Sequence, residues 1–255
     1  MLIKNGDHPI DESMDIVRYM NFTKFADLLL SKSIFFTNAS HLTDKYEFNL
    51  TDTHEKEIIS TYTELYDENK AKETLEVYRN TMSRHRSNFY VSCWSGEDEE
   101  SYALWKIYLN GQDGVSIKTD FQSLQKAFKE NKGTYEIGKV EYTDQLGKSL
   151  NPNLTFKKRK YYQYENEIRI AYYSSEFDMR VVDDYSLKNR QVSEEEFLEL
   201  NFYGFKQKVD LDLLIKEIRI SPFSKISFER LIVDLLEQVS PSLVKKVTTS
   251  KIKDK

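Results

Sequence analysis

The sequence predicts an α+β domain, with a mixed, mainly antiparallel β-sheet and helices that flank it. Short apolar or alternating segments far outnumber the helix–strand alternations that a doubly wound α/β fold requires. The chain of 255 residues is long enough to bury a large core, and it shows no repeat, low-complexity stretch or clear linker. A hydrophobic fraction of 39% and an aromatic fraction of 13% argue against disorder.

The expected elements follow from apolar periodicity and from the residues that start or stop it. Asn21 or Thr23 can cap the first helix through a side-chain oxygen, and Ser101 can cap a later one. Gly96 and Pro222 each end a strand-like run. We predict strands at residues 16–20, 33–37, 89–94, 115–118, 139–142, 164–172, 205–209 and 217–220. We predict helices at residues 22–31, 53–87, 101–108, 121–130, 211–215 and 228–239.

These elements are expected to form one domain between two loose ends. Residues 1–14 are predicted to be a flexible N-terminus and residues 241–255 a Lys-rich tail, which leaves residues 15–240 as the domain. The charged segment at about residues 53–87 carries only a thin apolar stripe, so we expect a helical insert on the surface. Residues 174–200 are acidic and irregular in pattern.

Composition excludes several classes of function. A net charge of −5 leaves no global footprint for nucleic acid, so nucleic-acid binding would need a local basic patch. The single cysteine, Cys93, excludes an internal disulfide and a cysteine-based zinc site. The histidines lack metal-ligand spacing, and the glycines form no phosphate-binding loop. Without a signal segment or an apolar run near the ~18 residues of a membrane span, we expect a cytoplasmic protein with no membrane partner.

The most informative segment is the predicted strand at residues 164–172. Alternation places Glu165, Glu167 and Arg169 on one face, while Ile168 and Ile170 on the other face are expected in the core. Two carboxylates beside a guanidinium cost desolvation energy if they are buried, which makes this cluster a candidate site. The alternative is a ladder of surface charges on an edge strand.

Two other charged positions are site candidates. Arg18 precedes Tyr19 on an otherwise apolar strand, where an arginine normally needs a carboxylate or phosphate partner. The alternative is an outward-facing arginine on an edge strand. Asp44 and Glu47 follow a strand in a loop, where site residues often collect. The alternative is a capping box at the start of a helical turn.

Aromatic residues supply candidate stacking surfaces. Trp94, Trp105 and Tyr108 lie close to a turn and are suited to stacking on a base or a nicotinamide ring. Helical spacing favours core packing for Trp105 and Tyr108 instead. Ser92 has no histidine nearby in sequence to activate it, and Cys93 is better interpreted as a buried, inert thiol.

A basic run precedes the acidic strand. Residues 157–160, which end at Lys160, are all cationic, and Tyr161 and Tyr162 follow them. Cations mixed with rings suit a phosphate-bearing partner. A solvated loop is the alternative.

The order of these motifs resembles the bacterial family called domain of unknown function 2971 (DUF2971). The resemblance extends over about residues 15 to 240 and depends on order and spacing more than on any single motif. The segments that carry it are Val17-Arg18-Tyr19-Met20, Phe35-Phe36, Asp44-Lys45-Tyr46-Glu47, Ser92-Cys93-Trp94, Leu104-Trp105-x-x-Tyr108, Gly114-Val115-Ser116-Ile117, Val140-Glu141-Tyr142, Lys160, Tyr164-Glu165-x-Glu167-x-Arg169, Val209-Asp210-Leu211 and Ile220-Ser221-Pro222.

The chain is more distantly similar to ADP-ribosyltransferases. An Arg-Tyr strand, a middle strand with a serine and a late Glu-x-Glu strand occur in the same order, at Arg18, Ser92 and Glu167. The resemblance implies an intracellular enzyme that uses NAD as a substrate and needs no metal, and it is consistent with a toxin or phage-defence effector. The partners it implies are a nucleotide ligand, a nucleic-acid or protein acceptor and a regulator from a neighbouring gene.

The same resemblance assigns roles to residues. Cleavage of the nicotinamide–ribose bond passes through an oxocarbenium-like state that a carboxylate stabilises. Glu167 would supply that carboxylate, Glu165 would position or deprotonate the acceptor, and Arg18 would hold a phosphate of NAD. Tyr19 or Trp94 would stack on nicotinamide. The remaining candidates for substrate binding are Ser92, Trp105, Tyr108, Asp44, Glu47, Lys160 and Arg169.

Two other hypotheses compete with the transferase. In the first, a metal-dependent nuclease uses four carboxylates as ligands, at Asp44, Glu47, Glu165 and Glu167, and the basic run contacts the phosphates of RNA or DNA. In the second, a non-enzymatic module binds nucleotides or partner proteins, and Glu165, Glu167 and Arg169 form a structural ion network. The transferase hypothesis requires Arg18 and Glu167 to converge on one cleft, and projection from opposite sides of the sheet would contradict it.

Overall fold

The computed structural model describes residues 1–97, 99–128, 133–143, 154–174 and 203–252. It confirms the α+β class: a mixed, mostly antiparallel sheet of ten strands has helices beside it, and two further strands form a small second sheet. The strands are β1 Leu2–Lys4, β2 Asp15–Asn21, β3 Ser33–Asn38, β4 Phe89–Glu97, β5 Gly114–Thr119, β6 Tyr135–Lys139, β7 Glu141–Tyr142, β8 Lys157–Lys158, β9 Glu167–Tyr173, β10 Gly204–Lys208, β11 Glu217–Ile220 and β12 Val247–Thr249. The α-helices are α1 Phe22–Ser31, α2 Asp52–Leu65, α3 Glu68–Asn88, α4 Tyr102–Leu109, α5 Phe121–Ala127, α6 Leu211–Leu214 and α7 Ile226–Val239, and 3₁₀ segments lie at Ala39–His41, Lys160–Glu165 and Pro241–Lys246.

The large sheet is built around β4. Its main path is β1-β6-β9-β4-β2-β5-β11-β12, and β3 also pairs with β4 and carries β10 on its other edge. Within this sheet β1 runs parallel to β6 and β12 runs parallel to β11, while the other pairs are antiparallel. The strands that carry Arg18, Ser92 and Glu167 are therefore neighbours, in the order β2, β4, β9.

One edge of β4 has two different partners. Val91 pairs with β3, and from Ser95 onward β4 pairs with β2. Along the stretch of β4 between Val91 and Ser95, β2 and β3 diverge and neither pairs with this edge. We call this opening between β2, β3 and β4 the fork. The fork exposes the middle of β4 to a cavity.

The two faces of the sheet bury different clusters. The main core lies on the face that carries Ile16, Met20, Trp94, Ile168 and Ile170, and helices α1, α5 and α7 cover it. The opposite face carries smaller apolar clusters. One of them joins Val17, Tyr19, Leu104, Trp105 and Leu109, and another joins Ala39, Phe48, Val91, Phe156 and Ala171. The predicted division of β9, with both isoleucines in the core, is confirmed.

Local signals placed several element ends correctly. The side chain of Asn21 accepts a hydrogen bond from the backbone nitrogen of Lys24 at 3.1 Å and begins α1. Ser101 caps α4 through the backbone nitrogen of Leu104 at 3.3 Å. The segment at residues 53–87 is helical as expected, and it divides into α2 and α3.

Both chain ends differ from the prediction. Residues 1–14 include β1, whose Leu2 is 1% exposed and whose three residues pair with β6. The expected Lys-rich tail supplies β12, and Leu243 in the preceding 3₁₀ segment is fully buried. The prediction of two loose ends is therefore wrong for the described residues, because pairing with a distant strand orders short segments that have no strong pattern of their own.

Two strand predictions also need correction. Residues 160–165 form a 3₁₀ segment, so β9 begins at Glu167 and Glu165 lies outside the strand. The predicted strand at residues 139–142 is divided between β6, which ends at Lys139, and β7. The expected irregular segment at residues 174–200 lies, from residue 175 onward, outside the described residues.

The buried position of Leu243 gives a stability prediction. Leu243→Ala is expected to lower the free energy of unfolding by about 2–5 kcal/mol, because it leaves a cavity in the main core. Urea unfolding would measure the loss. The exposed Lys245→Ala is the matched control and should change stability by less than about 0.5 kcal/mol. Equal stability of the two variants would contradict the placement of this segment.

Candidate functional site

A buried ion network lies on the face of the sheet opposite the main core. Arg169, in β9, is 0% exposed. Its Nε donates to Glu167 at 2.7 Å and its Nη1 donates to the backbone oxygen of Thr155 at 2.9 Å. Its Nη2 donates to Glu47 and, at 3.1 Å, to the second oxygen of Glu167. Each of the three guanidinium nitrogens therefore donates at least one hydrogen bond.

Lys158 joins the same carboxylates from β8. Its Nζ lies 2.7 Å from Glu165, 3.3 Å from Glu167 and 3.3 Å from Glu47. Three carboxylates thus surround two cations. Each buried charge has a partner, which is the condition under which such a network is tolerated in a protein interior.

The pKa values of Glu165 and Glu167 are shifted in opposite directions. Burial by itself would raise the pKa of Glu167, but Arg169 and Lys158 hold it at about 2. Burial raises the pKa of Glu165, and Lys158 only partly offsets this effect. Glu167 is therefore an ionised structural partner rather than a free acid or base.

The arrangement bears on two alternatives from the sequence. The ladder on an edge strand is wrong, because β9 lies between β4 and β6 and both Glu167 and Arg169 are buried. For the nuclease, the ammonium of Lys158 occupies the position between the carboxylates that a metal ion would need. Across the described ranges, no group of three histidine, cysteine or carboxylate side chains is placed to hold a metal ion.

The other loop carboxylate, Asp44, is also paired. It accepts two hydrogen bonds from the guanidinium of Arg159, at 2.8 and 3.0 Å, and a third from the backbone nitrogen of Tyr46 at 3.1 Å. Glu47 points into the ion network instead of completing a capping box with Asp44. The four carboxylates that the nuclease hypothesis assigns to a metal therefore pair with different cations. Asp44 pairs with Arg159, and the other three pair with Lys158 or Arg169.

Arg18 lies in a different place, at the fork. Its Nη1 donates to Ser92 Oγ at 3.0 Å, and its guanidinium lies 5.6 Å from the ring centroid of Trp94. The indole nitrogen of Trp94 also donates to Ser92, at 3.2 Å. No carboxylate of the described residues lies within ion-pair distance of Arg18, and burial lowers the pKa of its guanidinium. The charged partner expected from the sequence is therefore missing from the described chain.

Strand register separates Arg18 from Glu167. Val17 lies opposite Ser95, and Ser95 lies opposite Glu167, so these three side chains share one face. Because side chains alternate along a strand, Arg18 projects to the other face, where Ser92 lies. The geometric requirement of the transferase hypothesis is not met.

Two cavities meet at the fork. The larger, of about 340 Å³, lies between β2, β3 and α1, and the smaller, of about 130 Å³, opens beside the middle of β4. Four residues line both cavities: Arg18, Lys24, Thr37 and Trp94. We call the two cavities together the fork cleft. It contains two cationic side chains on its shared wall.

The aromatic candidates differ in access to this cleft. Trp94 is 3% exposed and lies beneath Arg18, so its ring face is not open to a ligand. Trp105 is fully buried and donates to Glu100 at 2.7 Å, which confirms the alternative of core packing. Tyr108 is 42% exposed and lines the smaller cavity. Tyr19 is buried, stacks on Tyr108 at 6.1 Å and donates to Glu97, so it supports the cleft wall.

Several residues of the site were not identified from the sequence. Lys24, Thr37 and Phe35 line the fork cleft, but each occurs in a segment that looked like ordinary helix or strand. A lysine in the first turn of α1, directly after the strand that carries Arg18, was the one available signal. Lys160, expected on a phosphate, is exposed at the start of a 3₁₀ segment and does not line either cavity.

Cys93 lies opposite Arg169 on β4. Burial raises the pKa of its thiol well above the usual value, and the nearby Glu167 adds to this effect. A protonated thiol is a poor nucleophile. The geometry thus agrees with the interpretation of Cys93 as inert.

Comparison of the chain with protein families, with curated proteins and with solved structures found no match in any of the three. The resemblance to DUF2971 and to ADP-ribosyltransferases therefore stays a prediction from motif order. None of the helices in the described ranges is long and apolar enough to cross a membrane.

Proposed function

We propose that the fork cleft binds an anionic ligand that carries an aromatic ring, of the nucleotide class. The observation that carries the proposal is Arg18, a cation held against Ser92 and Trp94 with no carboxylate partner among the described residues. A guanidinium removed from water costs free energy unless an anion compensates it. The N–H donors of the planar guanidinium are spaced to bind two oxygens of a phosphate group.

A second cation strengthens the anionic character of the expected ligand. Lys24 lines both cavities beside Arg18 and forms no ion pair with a described residue. The nearest acidic residue on α1, Asp27, is itself paired with Lys206 at 2.7 Å. The shared wall of the cleft therefore has an excess of positive charge, although the whole chain is acidic.

The cleft also offers surfaces for a ring. Phe35, which is 37% exposed, lines the larger cavity, and Tyr108 lines the smaller one. The larger cavity, of about 340 Å³, has the size of a small-ligand site. Thr37, between the two cavities, can hydrogen-bond a sugar hydroxyl. These features together favour a nucleotide over inorganic phosphate.

NAD belongs to this ligand class, and its cleavage is a narrower hypothesis. The strands with Arg18, Ser92 and Glu167 are neighbours, which favours it. The opposite projection of Arg18 and Glu167, and the pairing of Glu167 with Arg169, weigh against it. We therefore treat NAD as a candidate ligand only, and release of nicotinamide would mean that its cleavage does not need Arg18 and Glu167 on one face.

The test is a calorimetric titration of the protein with ADP, AMP, NAD, pyrophosphate and adenosine. ADP or NAD is expected to bind more tightly than pyrophosphate, which lacks a ring, and than adenosine, which lacks an anion. Arg18→Gln is expected to weaken this binding by at least about tenfold, because it removes a charge-assisted hydrogen bond to the phosphate. It should also leave the free protein equally stable or more stable, since it removes an uncompensated charge.

Arg84→Gln, an exposed arginine on α3, is the matched control and should bind like the wild type. The proposal is wrong if no member of the panel binds, or if Arg18→Gln binds as tightly as Arg84→Gln. Incubation of the wild type with NAD, followed by chromatography of nicotinamide, decides the narrower hypothesis. Nicotinamide release that Glu167→Gln abolishes without loss of NAD binding would establish it.

A further inference from the structure

We infer that a second surface, separate from the fork cleft, binds single-stranded nucleic acid. It consists of four tyrosines with cations between them, and we call it the tyrosine patch. Its rings are Tyr46, Tyr161, Tyr162 and Tyr164, and its cations are Lys45, Arg159 and Lys160.

Arg159 organises the patch. Its guanidinium lies 4.7 Å from the ring centroid of Tyr46, 5.8 Å from that of Tyr161 and 5.7 Å from that of Tyr162. The two hydrogen bonds from its Nε and Nη2 to Asp44 hold the guanidinium in place. The rings therefore surround a fixed cation rather than a mobile side chain.

The rings are open to a partner. Tyr161 is 78% exposed and Tyr164 is 48% exposed. Successive exposed rings on one short 3₁₀ segment offer faces on which unpaired bases stack. A duplex keeps its bases stacked on each other, so this surface favours a single strand.

The exposed charges of the patch are cationic because its two carboxylates, Asp44 and Glu165, are little exposed and paired with cations. The side chain of Asp44 is 1% exposed and is paired with Arg159, and Glu165 is paired with Lys158 beneath the patch. Lys45 is exposed, lies 4.9 Å from the ring centroid of Tyr46, and has no carboxylate partner among the described residues. Lys160 is exposed beside Tyr161. The ammonium group of Lys45 can contact a phosphate between stacked bases.

The same features favour nucleic acid over a protein partner. Tyrosines are common at protein interfaces, but lysines are depleted there, and here exposed lysines lie among the rings. The net charge of −5 makes broad electrostatic attraction to nucleic acid unfavourable, so binding must depend on this local surface. We therefore expect modest affinity and a weak salt dependence, with a slope of log K against log salt of about −0.7 for one phosphate contact.

Fluorescence anisotropy with labelled 12-nucleotide oligo-U and oligo-dT, and with a 12-base-pair duplex, tests this inference. The single strands should bind and the duplex should bind at least about fivefold more weakly. The double variant Tyr161→Ala with Tyr164→Ala should weaken single-strand binding by at least about fivefold, because two stacking faces are lost. Tyr161→Phe with Tyr164→Phe keeps the rings and should bind like the wild type.

Tyr66→Ala removes a tyrosine that is 66% exposed but belongs to the end of α2 rather than to the patch, and should have no effect. Absence of oligonucleotide binding, equal binding of the alanine and phenylalanine variants, or equal binding of single and double strands would each overturn the inference. If oligonucleotides do not bind and the alanine variant alters the sedimentation of the protein alone, the patch is a protein interface instead. Binding of ADP to Arg18→Gln is measured separately, so failure here leaves the fork cleft untouched.

Discussion

Replacement of Arg169 by methionine is expected to lower the free energy of unfolding by about 3–5 kcal/mol. The guanidinium is fully buried and donates to Glu47 and Glu167. Its loss leaves two carboxylates in the interior with only Lys158 to compensate them. Urea unfolding followed by tryptophan fluorescence would measure the change in midpoint and slope.

Two further variants distinguish how the charge and the shape of Arg169 each contribute to stability. Arg169→Lys keeps the charge but loses the two-pronged contact with Glu167, so its loss of stability should be intermediate. Combining Arg169→Met with Glu47→Gln and Glu167→Gln should recover part of the stability, because the orphaned charges are removed.

Arg79→Met is the matched control. Arg79 forms as many ion pairs as Arg169, with Glu55 and Glu76, but its side chain is 46% exposed. Its replacement should cost less than about 1 kcal/mol. Equal losses of unfolding free energy for Arg79→Met and Arg169→Met would show that burial does not determine how much the network contributes to stability.

Low pH should destabilise the protein, because it protonates Glu167 in the same ion network. The pKa of Glu167 is about 2 in the folded protein and about 4.5 when it is unfolded, so the unfolded chain binds its proton first as pH falls. The stability due to this carboxylate is complete above pH ~4.5 and is lost as pH falls through about 2. Its size is on the order of 3 kcal/mol.

Glu167→Gln removes this contribution, and urea unfolding between pH 7 and pH 2.5 would show it. The variant should be less stable than the wild type at pH 7, and the difference should shrink toward pH 2.5. The pKa of Glu217 is also held at about 2, so the variant still loses some stability in acid. The raised pKa of Glu165 has the opposite effect, because its protonation in acid stabilises the folded protein. A constant difference over the whole pH range would contradict the assignment to Glu167. The exposed Glu64→Gln should follow the wild type.

The sequence indicated part of the ion network, since it grouped Glu165, Glu167 and Arg169 and allowed a structural ion network as one interpretation. It placed Glu167 and Arg169 on one face of a strand, which the structure confirms, because alternation is a local property of an extended chain. It did not identify Lys158 as their shared partner, although Lys158 stood in the basic run. The contact of Arg169 with Glu47 joins residues 122 positions apart, and no local pattern encodes that distance.

The fork cleft shows more clearly where prediction from the sequence ends. Arg18, Ser92 and Glu167 lie on three neighbouring strands, and Arg18 contacts Ser92. Whether Arg18 and Glu167 share a face depends on the register of two strand pairs. A shift of one residue in either pair would move one side chain to the other side of the sheet. Order along the chain carries no information about that shift.

The sequence by itself determined the α+β class, the helical insert, the caps of α1 and α4 and the burial of Ile168 and Ile170. These features depend on periodicity and on side-chain hydrogen bonds within a few residues. Only the tertiary structure decided that both chain ends join the sheet, that Glu167 is bound within an ion network and that Arg18 faces a cleft without a carboxylate. Those outcomes depend on strand pairing between distant segments, whose free energy comes from the neighbours that folding brings together.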